Sequence, residues 1–356
     1  VAIGTSALGS DTLGSHSTAV GRRALLEQNF STATDVYNVA VGSSAGQNVT
    51  TGSSNTLIGG LAGDALTTGS NNVALGVGAL STEDTGGRSV ALGVNALGQQ
   101  NVDGNIYNVA VGHAAGNNVT TGTLNTFVGG LAADAITDGT RNVAVGYAAL
   151  STDTRGQRST AVGYGALADQ NLTTASQTHN TAVGYLAGGA ITTAVRTTIV
   201  GALASDAATT GERNVAFGYA ALSADTAGNR SVSIGYEALG TQNFTTSTDN
   251  YNIGIGYLAG NVISTGVQNT LVGGLAGDVL TDADDNTALG YGALSSDTLG
   301  SRSTALGRSA LGTQNFTTAT NVNNVGVGYQ AGLAITTGIN NTHIGANAGD
   351  NGTTGD

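Results

Sequence analysis

Apolar residues along this chain occur in short groups that return at a fixed interval. A tetrapeptide of the form (V/T)-A-(V/I/L)-G recurs twenty times, and its glycines lie 17 residues apart except at four spacings of 21 and one of 19. Alternating β-branched residues in so short a run predict a brief β-strand. Because each strand returns at a nearly constant interval, we expect parallel strands stacked about 4.8 Å apart along one axis.

We call each repeat of 17 to 21 residues a coil. The positions around each tetrapeptide form columns in which one residue type recurs in successive coils. The residue four before the glycine is Asn, Ser or Thr in all nineteen readable cases, and the residue eight after it is Thr in thirteen coils. We expect asparagine amides to hydrogen-bond along a corner, aliphatic columns to lie inside, and glycines to supply turns with positive φ. The alanine three residues after each glycine marks a close backbone approach. The ladder is represented by Asn38, Asn55, Asn72, Ala45, Ala62, Thr50 and Thr67.

These columns predict an all-β fold, a parallel β-solenoid (β-roll) of about twenty coils, in a single repeat domain 1–356. Every fourth coil is long, which gives five four-coil modules with bounds 1–72, 73–142, 143–214, 215–286 and 287–356. The strand columns resume in phase after each long coil, so the extra residues are expected to project as loops. These loops are Gln28–Asn38, Gln99–Asn108, Gln170–Asn180, Gln242–Asn252 and Gln314–Asn324.

Composition narrows the classes of protein and partner. The chain has 57 Gly, no Pro, Cys, Met or Trp, and only 4% aromatic residues, which favours a thin, regular core. A net charge of −12 disfavours nucleic acid and anionic membranes as partners, and no apolar run suggests insertion into a membrane. Four histidines lie in different columns with no recurring nucleophile or base, so we predict neither enzyme activity nor a cofactor.

The repeats resemble those of a known class of protein. The segments NVAVGSSAG, NTAVGYLAG, RSVALGVNAL and NTALGYGAL are similar to the head repeats of trimeric autotransporter adhesins and to the NTAIGYxAL repeats of phage tail fibres. The similarity extends over the whole chain. It implies a left-handed roll whose chains intertwine or pack as a homotrimer, and an extracellular location on a cell surface or a virion.

Three kinds of residue are candidates for binding. A tyrosine often follows the tetrapeptide, and such rings either contact a receptor or sugar or pack over the turn. The loops carry phenylalanines that are further candidates. The possible receptor contacts are Tyr147, Tyr164, Tyr219, Tyr236, Phe30, Phe244 and Phe316. The threonine column is a candidate ice-binding face, although an asparagine interrupts it at every long coil.

Charged residues suggest weaker sites. Asp282, Asp284 and Asp285 are the best metal candidates, for calcium, but they lack the glycine-rich repeat of calcium-binding rolls, which favours plain solvation. An acidic column appears once per module at Asp64, Asp134, Asp206, Asp278 and Asp350. Loop-closing ion pairs are expected at Glu83/Arg88, Asp153/Arg158, Asp225/Arg230 and Asp297/Arg302.

The leading functional hypothesis is a structural or adhesive segment of an extracellular homo-oligomeric fibre, on a phage tail or a bacterial surface. It would act as a rigid spacer and contact a host-surface glycan or receptor through its loops. The alternatives are a surface filament of subunits polymerised end to end, and a β-solenoid that binds ice or glycans.

Overall fold

The structure is a computed structural model that describes residues 1–351. These residues form an all-β parallel solenoid of about 20 coils and contain no helix, which confirms the predicted fold class at that level. The last five residues of the expected module 287–356 lie outside the described part. The chain divides into two compact units, Val1–His179 and Asn180–Asp356.

Each coil contributes one strand to the main ladder of its unit. In the first unit these strands are β1 (Ala2–Ile3), β3 (Thr18–Val20), β5 (Val39–Val41), β6 (Thr56–Ile58), β7 (Val73–Leu75), β8 (Val90–Leu92), β9 (Val109–Val111), β10 (Thr126–Val128), β11 (Val143–Val145) and β13 (Thr160–Val162). In the second unit they are β15 (Thr181–Val183), β16 (Thr198–Val200), β17 (Val215–Phe217), β19 (Val232–Ile234), β21 (Ile253–Ile255), β22 (Thr270–Val272), β23 (Thr287–Leu289), β25 (Thr304–Leu306), β27 (Val325–Val327) and β28 (Thr342–Ile344).

Shorter strands lie at the bases of four of the five long loops. They are β2 (Gly14–Ser15), β4 (Thr34–Asp35), β12 (Gly156–Gln157), β14 (Ser176–Gln177), β18 (Gly228–Asn229), β20 (Thr248–Asp249), β24 (Gly300–Ser301) and β26 (Thr320–Asn321). Pairing is parallel throughout: β2 with β4, β12 with β14, β18 with β20 and β24 with β26. A single bridge between Gly87 and Asn105 takes their place at the remaining loop, Gln99–Asn108.

The main strands stack in register, so that equivalent residues of successive coils lie opposite each other. Phe127, for example, pairs with Ala110 on one side and with Ala144 on the other. Only the middle residue of each three-residue strand points inward, because side chains alternate between the two faces of a strand. The core beneath the strands is therefore largely a column of buried alanines.

The expectation that the aliphatic residue before each glycine lies inside is wrong. That residue occupies the outer face of its strand; Leu75, Phe217 and Leu289 are 49%, 55% and 50% exposed. Most of the large buried residues come from positions that the tetrapeptide does not include. Leucines four residues after the glycine and residues seven after it, such as Val49 and Ile136, make up most of this set.

Core volumes compensate between neighbouring coils. Every fourth coil replaces the inward alanine with a larger residue, namely Leu57, Phe127, Ile199 or Leu271. The position four residues after the strand glycine, which is leucine in many coils, is glycine in the two coils next to Leu57. A Cβ added to Gly46 or Gly63 would lie 2.6 Å or 2.8 Å from a Leu57 methyl group. Gly46 and Gly63 therefore leave room for Leu57, and the small residues Ala133 and Ser205 occupy the equivalent place beside Phe127 and Ile199.

The asparagine ladder is confirmed, and its bonds run to backbone. Asn55 Nδ2 donates to the Gly69 carbonyl at 2.8 Å, and its Oδ1 accepts from the Asn72 amide of the next coil at 2.9 Å. Asn72 repeats both contacts with Gly86 and Ser89. Each buried carboxamide thus satisfies a donor and an acceptor at a corner where the strand ladder ends.

The turns use more left-handed backbone than expected. The strand glycines have positive φ as predicted; Gly76 has φ of 141°, and a Cβ there would lie 2.3 Å from the Gly93 oxygen. Three further positions in a typical coil also have positive φ although most carry ordinary side chains, as at Leu80 and Arg88. Each such residue costs about 1 kcal/mol or more, so neighbouring coils must impose the conformation.

We expect Asn72→Ala to lower the free energy of unfolding by about 2–4 kcal/mol, because the Gly86 carbonyl and the Ser89 amide lose their buried partner. Guanidinium chloride unfolding followed by circular dichroism measures the change. Asn48→Ala is the matched control, because Asn48 is exposed and outside the ladder, and it should change stability by less than about 0.5 kcal/mol. Equal losses in both variants would contradict the structural role of the ladder.

Candidate functional site

Each long loop begins over a buried polar cluster. Gln242 Nε2 donates to Asp225 Oδ2 at 2.5 Å and to Ser231 Oγ at 2.9 Å, while its Oε1 accepts from Asn252 at 2.9 Å. Asp225 Oδ1 accepts from the amides of Gly228 and Phe244, each at 3.0 Å. The carboxylate therefore binds a turn of its own coil and the first part of the loop above it.

The same cluster occurs once in every module. The glutamines are Gln28, Gln100, Gln170, Gln242 and Gln314, and their acidic partners are Asp11, Glu83, Asp153, Asp225 and Asp297. Both residue types occupy one column, seven positions after the strand glycine, in two successive coils. Sequence reasoning missed the cluster, although an acid followed by a glutamine in one column was the signal that could have revealed it.

The predicted ion pairs between these acids and nearby arginines are wrong. The carboxylates point inward to glutamine and backbone amides, while the arginines point outward. Arg230 lies 3.3 Å from Asp249 and 5.2 Å from the Tyr251 ring centroid, and Arg302 lies 3.7 Å from Asp285. Arg88 similarly lies over Tyr107, at 5.5 Å from the ring centroid. The contacts of Arg230 and Arg88 reach loop residues and hold the base of the loop from its outer side.

Burial raises the pKa values of two cluster carboxyls. Asp225 is 2% exposed, and loss of hydration raises its pKa, although hydrogen bonds from Gln242 and the amides of Phe244 and Gly228 oppose the shift. Desolvation likewise raises the pKa of Glu83. Burial thus disfavours the charged form of both carboxyls relative to the unfolded chain.

The loop phenylalanines do not face solvent. Phe30, Phe244 and Phe316 are only 6–8% exposed, and Leu172 occupies the equivalent place in another loop at 7%. Their side chains support the loop from below. Their burial leaves these rings little surface with which to contact a receptor, contrary to the prediction.

The tyrosines, by contrast, form an exposed column. Tyr147 and Tyr164 stack with ring centroids 5.6 Å apart, and Tyr219 and Tyr236 stack at 5.3 Å. All four are about half exposed. A small residue interrupts the column in every fourth coil, as at Gly130, Ala202 and Gly274. These rings are available for contact with a partner, and the receptor role stays a prediction.

The candidate calcium ligands are turned toward separate neighbours. Asp282 accepts from Ser264 and Thr265, whose hydroxyls lower its pKa. Asp284 accepts from the Val267 amide, and Asp285 faces Arg302. Within residues 1–351, no group of three or more His, Cys, Asp or Glu residues is arranged to hold a metal ion.

The acidic column that recurs once per module is partly buried. Desolvation raises the pKa values of Asp64, Asp134, Asp206 and Asp278. Oδ1 of Asp64, Asp134 and Asp278 is buried without a hydrogen-bond partner in the described part of the chain. These groups lie four coils apart, so each titrates on its own.

The threonine ladder uses its hydroxyl groups internally. Thr50 Oγ1 donates to the Thr67 carbonyl at 3.1 Å, and Thr67 Oγ1 donates to the Asp84 carbonyl at 3.1 Å. Thr120, Thr137 and Thr192 continue the pattern. These hydroxyl protons are therefore committed to the next coil, which argues against an ordered hydroxyl face that binds ice.

No family model, curated protein or solved structure matches the chain. In the part of the chain that the structure describes, no helix has the length and apolarity needed to cross a bilayer.

The raised pKa of Asp225 predicts a pH-dependent stability. The folded protein holds this proton more tightly than the unfolded chain, so the contribution is complete below the ordinary value of 3.8 and is lost as pH rises through the folded pKa. We expect wild type to lose stability relative to Asp225→Asn as pH rises from about 4 to about 7. Denaturant unfolding at several pH values measures this difference. The non-titrating variant Asn48→Ala should keep a constant difference from wild type, and a wild-type advantage that grows with pH would contradict the prediction.

Proposed function

We propose that this chain is a structural segment of an extracellular homo-oligomeric fibre, on a phage tail or a bacterial surface, which spaces and presents contacts to a host surface. The observation that carries the proposal is the outer face of the main strands. An apolar side chain stands there on every coil, and those of the separate coils that carry Leu75, Val128, Phe217 and Leu289 are more than one-third exposed. Extended apolar faces of this kind mark association surfaces.

A second copy of the chain is the partner that suits this face best. The columns are uniform along each unit, so an identical neighbour offers the same residue types at the same intervals. The resemblance to adhesin heads and tail fibres supports a homotrimer with left-handed coils. Three copies around an axis would cover the apolar columns and leave the long loops outside.

The long loops suit the role of presenting contacts to a host surface. Each emerges above a buried cluster and is held by parallel pairing or a bridge at its base, so it is a defined projection. Recurrence once per four coils places equivalent loops roughly 19 Å apart within a unit, at about 4.8 Å per coil. Repeated weak contacts at such intervals add up to avidity for a surface that carries many receptors.

The proposal predicts that a charge on the outer face disrupts assembly. Phe217→Lys should shift the particle mass toward the 34.8 kDa monomer, because burial of an unpaired ammonium opposes association. Size-exclusion chromatography with light scattering measures the mass. Thr245→Lys, in an exposed loop of the same unit, should leave the oligomer intact.

Two results would overturn the discrete oligomer. A wild-type chain that stays monomeric at micromolar concentration would exclude it. Long polymers in negative-stain electron micrographs would replace it with a filament built end to end.

A further inference from the structure

The exposed tyrosine column of the second unit is interrupted at two positions by a small residue. On successive coils, the residue directly after the strand glycine is Tyr185, Ala202, Tyr219, Tyr236, Tyr257, Gly274, Tyr291, Arg308 and Tyr329. Ala202 and Gly274 each have a tyrosine on the coil before and on the coil after. We call the spaces over these two small residues the tyrosine slots.

The backbone places the residues of this column one coil apart. The Leu275 amide donates to the Tyr257 carbonyl at 2.9 Å, and the Gly292 amide donates to the Gly274 carbonyl at 3.0 Å. The tyrosines on either side of a slot are therefore two coils apart, about 9.6 Å. A flat group halfway between them lies about 4.8 Å from each ring, within the range of aromatic stacking.

The sides of the slot over Gly274 are faces of tyrosine rings. Tyr236 stacks on one face of Tyr257 with centroids 5.5 Å apart, so the other face of Tyr257 is turned toward the slot. On the opposite side, two ring carbons of Tyr291 lie 3.4 Å and 3.7 Å from the place where a Gly274 Cβ would stand. Aromatic faces carry partial negative charge, so both sides of the slot attract a cation.

Arg308 shows which group this column holds between two tyrosines. Its guanidinium carbon lies 5.9 Å from the ring centroid of Tyr291 and 5.9 Å from that of Tyr329. Arg308 is exposed and forms no ion pair within residues 1–351. A planar cation thus occupies the position that is empty in the tyrosine slots.

We propose that the tyrosine slots bind arginine side chains of a basic polypeptide. A guanidinium group is flat, stacks on aromatic faces and is attracted to them by its charge. The net charge of −12 favours a cationic partner. The two slots are four coils apart, roughly 19 Å, and an extended peptide covers about 20 Å in six residues. One strand of peptide can therefore place an arginine in each slot.

Other occupants fit these slots less well. A sugar ring also stacks on tyrosine, but it requires hydrogen-bond partners at its edges. The Tyr257 carbonyl beside the slot already accepts from the Leu275 amide. A second copy of the chain also carries arginine, so assembly is measured together with binding. The inference does not rest on the proposed fibre, because the slots belong to a single chain.

Isothermal titration calorimetry with a glycine-serine peptide that carries two arginines six positions apart tests the proposal. We expect wild type to bind this peptide at least fivefold more tightly than the same peptide with lysines, because lysine lacks the planar group. Two arginines only two positions apart cannot reach both slots, so that peptide should also bind at least fivefold more weakly.

Filling the slots provides the decisive variant. Ala202→Tyr combined with Gly274→Tyr inserts rings and leaves the net charge unchanged, and it should weaken peptide binding at least tenfold. Gly274 does not have positive φ, and the contacts of an added Cβ are ordinary van der Waals distances, so the repeat accommodates the change. Val77→Tyr combined with Val94→Tyr is the matched control, because it adds two exposed rings to the same column away from the slots. The control should change affinity less than twofold.

Tyr219 separates the ring face from the hydroxyl group. Tyr219→Phe should keep the affinity, whereas Tyr219→Leu should weaken binding at least threefold. Circular dichroism confirms that each variant is folded, and light scattering reports assembly. The proposal is overturned if wild type does not bind the arginine peptide or if the filled variant binds it as well as wild type does. Slot-dependent binding of neutral maltoheptaose in place of the peptide would identify a sugar site instead. Loss of assembly on filling would assign the slots to arginines of a second copy.

Discussion

The hydrogen bonds that link each coil to the next are the interaction on which the rest of this structure depends. A coil of 17 residues has only three residues in its main strand, too few to be stable alone. At the corner before the strand, the asparagine carboxamide replaces the backbone partners that a longer strand would supply, as Asn55 does for Gly69 and Asn72. Strands, turns and loops all keep their positions because this bond recurs at nearly every step.

The same stacking sustains a backbone that would be unfavourable in isolation. Leucine, arginine and tyrosine adopt left-handed conformations at positions such as Leu80, Arg88 and Tyr107. Backbone hydrogen bonds to neighbouring coils fix such positions; the Leu80 amide donates to the Ala96 carbonyl at 3.0 Å, and the Arg88 amide donates to the Ser70 carbonyl at 3.1 Å. The strain is therefore borne by cooperation between coils, as is usual for repeat proteins whose units contact mainly their neighbours.

Periodicity made the solenoid, the parallel register and the Asn55 ladder predictable, because identical residues at one interval must stack. The direction of individual side chains was less accessible. Period-two alternation left open which face of the strand Leu75 and Phe217 occupy, and the small alanine turned out to be the inward residue. The opposite charges of Asp225 and Arg230 predicted an ion pair between them. Asp225 instead contacts Gln242, which occupies the same column in the next coil. Local sequence shows which charges are near, but burial decides which partners they find.

The cluster of acid, glutamine, serine and asparagine beneath each loop also fixes the alignment of coils. A displacement of the chain by one coil would bring Gln242 against an aliphatic neighbour and leave the Asp225 carboxylate buried without its partners. Such a mismatch is costly, so alternative alignments are excluded by the polar groups more firmly than by the aliphatic core. The chain can therefore gain or lose length without disturbance only in steps of four coils. Duplication of whole modules is therefore a simple way to change the length of a solenoid of this kind.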